Sequence, residues 1–178
     1  MKHIIAALML LSCAGMLRAQ TTNPDLAMAG DFYDRAQWEQ AIEAFDRAAV
    51  DESLSDGELH KLAYALLQLD RYERARIVLE SVTARNPRAY VAWYNLGIAH
   101  MNCGRFPTGR DCLRRVTELE PLWARGWFSL GLCQLMTGQL DLAWESLGFL
   151  SPLDTDMAAE LLEAIQAEEA YVNDPAEQ

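Results

Sequence analysis

Beyond residue 20, the side chains whose chemistry could go past packing are two histidines, three cysteines and several runs of carboxylates. His60 and His100 have the residue type that moves protons near neutral pH. General acid–base catalysis needs a constellation around such a ring, and each histidine stands alone, so a packed or surface role outweighs a catalytic one. The serines form no G-x-S-x-G elbow, and no glycine-rich run is suited to cradling phosphate. Asp51-Glu52, Asp154-Thr155-Asp156 and Glu168-Glu169 read as solvated faces and as negative charge at helix N-termini, not as metal ligands. Cys103, Cys112 and Cys133 include no CxxC pair, which argues against a zinc ribbon or a dithiol redox site. The expectation is a chain that is not an enzyme and takes no cofactor and no metal.

The start of the chain carries an address rather than chemistry. MKHIIAALMLLSCAGMLRAQ has a basic Lys2, an apolar run from Ile4 to Leu11 and a small residue at Ala19. This is the pattern of a secretory signal, expected to span 1–19 and to be cleaved near Ala19-Gln20. Leu10-Leu11-Ser12-Cys13 gives an alternative, a bacterial lipobox in which Cys13 is lipidated and becomes the new N-terminus. Either route predicts an exported protein of the periplasm or cell envelope, as a soluble chain or a lipoprotein. Later apolar runs are broken by charge, so no transmembrane span is expected.

The formal charge is −11, from 15 basic and 26 acidic residues. Such a surface repels nucleic acid and anionic lipid. Cleavage of the signal would leave an odd number of cysteines. In an oxidising compartment that allows one disulfide plus a free thiol, or none.

The elements that position these residues follow from a period. AWYNLGIAH begins at Ala92 and GWFSLGLCQ at Gly126, with Trp93 and Trp127 34 residues apart. Cutting the chain at that interval gives blocks 22–55, 56–89, 90–123 and 124–157. One register holds Asp25, Leu59, Trp93 and Trp127. The next registers hold Met28, Leu62, Leu96 and Leu130, then Ala29, Ala63, Gly97 and Gly131, then Phe32, Leu66, His100 and Gln134. In the second half of each block stand Ala41, Ala75, Gly109 and Ala143, followed by Phe45, Leu79, Leu113 and Leu147. Leu59, Leu62, Ala63 and Leu66 lie on one helical face, as do Ala75, Val78, Leu79 and Val82. Gly104 and Gly138 share the register of Asp70, where the chain must turn. Glycine takes the left-handed conformation there without strain. Pro87 and Pro121 stop the second helix of their blocks. Trp38, Tyr72, Phe106 and Leu140 share a register just after the turn, suited to plugging the ends of the hairpins. Asp156 to Val172 predicts one more amphipathic helix, its stripe formed by Met157, Leu161, Leu162 and Ile165.

These blocks resemble tetratricopeptide repeats, whose pattern is W-x2-L-G-x2-Y, then A-x3-F, then P. The resemblance implies an all-α solenoid of four helix-turn-helix repeats over 22–157, a capping helix over 158–172 and a loose tail over 173–178. It implies a protein or peptide partner held in a concave groove lined by the first helix of each repeat. The groove residues it assigns are Tyr64, Tyr94, Asn95, Ile98, Arg125, Phe128 and Leu132. Tyr94, Ile98, Phe128 and Leu132 would be apolar anchors, and Asn95 and Arg125 polar orienters. The pair Asn95 and Arg125 suits one carboxylate or backbone amide of a ligand, with ordinary surface polarity as the alternative.

Residues 126–136 are apolar nearly all round a helix, more than two flanking helices would bury. A partner segment, a second copy of the chain making a homo-oligomer, or the chain's own C-terminal helix would each account for that. Cys112 and Cys133 fall on helices expected to be neighbours, either as buried small residues or as a disulfide.

Overall fold

The computed structural model describes residues 23–51 and 54–172. The signal segment, the Cys13 lipidation reading and the 173–178 tail lie outside the described residues. Nine helices are described: α1 Pro24–Asp34, α2 Trp38–Asp51, α3 Asp56–Gln68, α4 Tyr72–Arg85, α5 Tyr90–Asn102, α6 Phe106–Leu119, α7 Ala124–Met136, α8 Leu140–Leu150 and α9 Thr155–Val172. They pair as four antiparallel hairpins stacked in sequence order, and α9 closes the stack against α7 and α8.

The same turn recurs within every hairpin. In the second, Arg71 N–H donates to Leu66 C=O at 2.9 Å and Asp70 N–H to Leu67 C=O at 3.2 Å. Equivalent pairs close the others: Gln37 to Phe32, Arg105 to His100 and Gln139 to Gln134. This double hydrogen bond satisfies the orphan carbonyls of the first helix and needs one left-handed residue. Gly104 and Gly138 supply it at φ of 73° and 69°, as their register predicts, and Ala36 and Asp70 adopt it at 55° and 54°.

Between hairpins the chain uses caps and prolines. Ser55 and Glu58 form a reciprocal capping box at the start of α3. Asp154 Oδ1 accepts from the Asp156 and Met157 amides at 3.1 and 3.0 Å, opening α9. Pro87 and Pro121 lie two residues beyond the ends of α4 and α6 and do more than stop them. Their carbonyls accept the indole N–H of Trp93 at 3.0 Å and of Trp127 at 2.8 Å. The tryptophan register therefore ties each linker to the helix that follows it.

The small-residue registers bring helices together. A Cβ built on Gly109 would lie 3.1 Å from the Gly97 carbonyl, so α5 and α6 touch backbone to backbone. Phe45, Leu66, Leu79, Leu113, Leu150, Leu161 and Ile165 are fully buried. At that depth each side chain contributes about 1.5–3 kcal/mol of hydrophobic stabilisation.

Candidate functional site: the face of the first helices

The predicted groove residues sit on α3, α5 and α7. A repeated cross-helix pairing underlies that face. His60 Nε2 lies 3.5 Å from the Asn95 amide, and 34 residues along, Ser129 Oγ donates to Tyr94 Oη at 3.4 Å. In each case the fifth position of one block meets the sixth of the next. Asn95 and Ser129 are buried, so they brace the face from beneath. Burial pushes the His60 imidazole below its ordinary range, which keeps the ring neutral beside the Asn95 amide at pH 7.

Tyr64, Tyr94, Ile98, Phe128 and Leu132 are half-buried and Arg125 is exposed. Tyr64 packs edge-on against Tyr33 and Trp38 with centroids 5.9 and 5.8 Å away. Tyr94 does the same against Trp123 at 4.9 Å. These T-shaped contacts favour fixed ring orientations, so the two tyrosines form pre-ordered rather than mobile surfaces. Arg125 makes no ion pair or hydrogen bond among the described residues, leaving its guanidinium available to a ligand. The structure gives no hydrogen bond between Arg125 and Asn95, whose amide is turned to His60.

Phe128 and Leu132 have a second set of neighbours. Both pack against the cluster of Ala143, Leu147, Leu150, Ala158, Leu161 and Ile165. A Cβ on Gly131 would come within 2.6 Å of Leu161 Cδ2, so α9 lies directly on α7. The all-round apolar character of α7 is thus met by three helices, α6, α8 and α9, the last being the chain's own C-terminal helix.

His100, at the register of the family's tyrosine, is buried and its Nδ1 has no hydrogen-bond partner. Burial lowers its pKa. Glu80 and Glu73 pull the other way, while Arg76 and Arg105 add to the lowering. The three described cysteines are free. Cys112 and Cys133 are buried, and burial pushes the Cys112 thiol up to about 12. The Cys133 thiol donates to the Phe106 carbonyl at 3.4 Å. They behave as small core residues with inert thiols.

A tetratricopeptide repeat profile matches residues 60–106 and 96–147. No curated protein sequence matches the chain. Among solved structures, it is similar to a crystal structure of MamA (21% identity, 85% of each chain covered, TM-score 0.65). It also resembles MamA from Desulfovibrio magneticus RS-1 (19% identity, 85% of this chain and 77% of that one, TM-score 0.63). A third is YrrB, described as a TPR protein with an unusual peptide-binding site (18% identity, 76% of this chain and 71% of that one, TM-score 0.72). At these identities the structural likenesses speak to fold alone. Together with the profile match and the four repeated hairpins, they show that the chain is a tetratricopeptide repeat protein, with a fold for protein–protein interaction.

Proposed function

We propose that this protein is an interaction adaptor of the bacterial cell envelope, exported by its N-terminal segment, that captures an extended or helical partner segment on the face of α3, α5 and α7. The observation that carries this reading is the repeated bracing of that face by His60–Asn95 and Tyr94–Ser129. Ser129 and Trp123 hold Tyr94 and Tyr33 and Trp38 hold Tyr64, while Arg125 stays free, an arrangement that lowers the ordering cost of binding. Ile98 and Tyr94 act as apolar anchors and Arg125 as the polar orienter. Phe128 and Leu132 extend the surface toward α9 and share their contacts with it.

The test is affinity capture from the native envelope with wild type and an Ile98→Glu/Arg125→Glu variant whose helical circular dichroism is unchanged. A partner retained by wild type and lost from the variant supports the groove. Equal recovery from both baits overturns it.

A further inference from the structure

A second surface lies on the side formed by the second helices of the hairpins. A cleft of about 550 Å³ opens between α6 and α8, floored by α7. Its apolar wall is the stacked pair Trp127 and Phe149, with ring centroids 4.4 Å apart and planes 17° from parallel. Phe149 is 57% exposed and Leu142, beside it, 38%. Opposite them on α6 stand Arg110 and Arg114.

The repeat architecture supplies an internal comparison. One block earlier, the same two registers hold Arg76 and Glu80, joined at 2.6 Å, with Glu73 also on Arg76 at 3.0 Å. There the charge closes on itself. In the α6–α8 cleft the glutamate is replaced by Arg114 and the Glu73 register by Pro107. Two guanidiniums then share one half-exposed carboxylate, Asp111, at 3.2 and 3.5 Å. Arg110 also donates to Gln139 Oε1 at 3.0 Å. Of the cleft's own carboxylates, Glu118 is taken by Arg115 at 2.9 Å, and Glu145 stands on the α8 side.

The floor also lacks a partner. Gln134 is only 7% exposed. Its Oε1 accepts from Ser146 Oγ at 2.7 Å, while its amide N–H groups donate to no acceptor among the described residues. An amide carries two N–H donors, and an acceptor entering the cleft can take them. The charge of the chain is partitioned to match. Residues 71–125 hold ten arginines and five carboxylates, whereas 126–178 hold ten carboxylates and no lysine or arginine.

From this geometry we infer that the α6–α8 cleft is a peptide-docking site, separate from the groove, for a partner segment that places an aspartate or glutamate beside an aromatic or aliphatic side chain. The carboxylate bridges Arg110 and Arg114, a charge-assisted arrangement that planar guanidiniums favour. The apolar side chain lies on the Trp127–Phe149 wall, and a ligand carbonyl or carboxylate oxygen takes the Gln134 amide.

The test selects a random dodecapeptide phage library on the mature chain. Enriched peptides should carry Asp or Glu within two residues of an aromatic or aliphatic side chain. Affinity of the best synthetic peptide should fall about tenfold or more with Arg114→Glu, and similarly with Phe149→Ala. It should fall with added salt and be unchanged by Ile98→Glu/Arg125→Glu. Arg114 is 63% exposed and Phe149 is mostly exposed, so both variants should keep the wild-type circular dichroism. The proposal is overturned if nothing is enriched, if enriched peptides lack an acid, if Arg114→Glu leaves affinity intact, or if light scattering shows a dimer that Phe149→Ala dissociates. Loss of binding only in the Ile98→Glu/Arg125→Glu variant would instead place the peptide in the groove.

Discussion

Single side chains decide how this fold meets acid. His100 is buried where the repeat pattern prefers a tyrosine, and its pKa is lowered chiefly by that burial. His60 is shifted in the same direction. Between the folded and unfolded pKa values the unfolded chain binds more protons. The stability these rings contribute is therefore whole above the unfolded value of about 6.5 and is lost as pH falls toward the folded values. The urea midpoint should drop between about pH 7.5 and about pH 5.5. His100→Gln, which installs the residue that Gln134 already provides one repeat later, should flatten part of that drop. An unchanged slope in the variant would show that His100 takes up a proton as readily in the fold as in the unfolded chain. The period of the sequence placed His100 on a core-facing register. That its Nδ1 goes unpaired could not be read there, because the partner would have to come from a different helix.

At the scale of elements, the seat of α9 on α7 is the contact most open to measurement. Leu161 is fully buried, and Gly131 leaves room for it where a Cβ would stand 2.6 Å from Leu161 Cδ2. Leu161→Ala should cost about 2–5 kcal/mol by loss of burial and a residual cavity. Gly131→Ala should cost about 1–3 kcal/mol by overpacking. The double variant should cost less than the sum, since the new methyl group enters the space that Leu161 vacates. Additive losses in denaturant melts would show that α7 and α9 do not touch there. The stripe of Met157, Leu161, Leu162 and Ile165 announces an amphipathic helix without saying which face of the stack receives it. The structure answers that: the helix rests on α7 and α8 and takes up part of the apolar surface of Phe128 and Leu132.

At the scale of the molecule, the hairpins stack in sequence order, so stability is communicated mainly between neighbours. One buried cluster runs from α1 to α5 with Cys112 of α6, and another joins α7, α8 and α9. Between them, Leu113, Leu130 and Cys133 form a small junction packed by Tyr94, Met101, Phe106 and Trp127. Surface ion pairs repeat with the stack, Glu39 with Arg71 and Glu73 with Arg105. Exposed pairs of this kind are worth about 0–1 kcal/mol each, so the clusters carry the stack. In hydrogen exchange, Leu161→Ala should speed the amides of α7 to α9 and leave α3 and α4 near their wild-type rates. Uniform acceleration along the chain would mean that the stack opens as one unit.

The sequence by itself determined the helices, their 34-residue register, the left-handed turns and the small residues that let helices approach. Each of these depends on local geometry, either the 3.6-residue periodicity or a backbone conformation that few residues adopt. It also carried the family's groove positions, including Tyr64, Tyr94, Ile98 and Arg125. Only the tertiary structure decided which of them are braced and which are free. It turned the Asn95 amide to His60, set Phe128 and Leu132 against α9, tied Trp93 and Trp127 to proline carbonyls and left two arginines facing an open cleft. These outcomes depend on distances between side chains far apart along the chain, and those exist only once the helices are stacked.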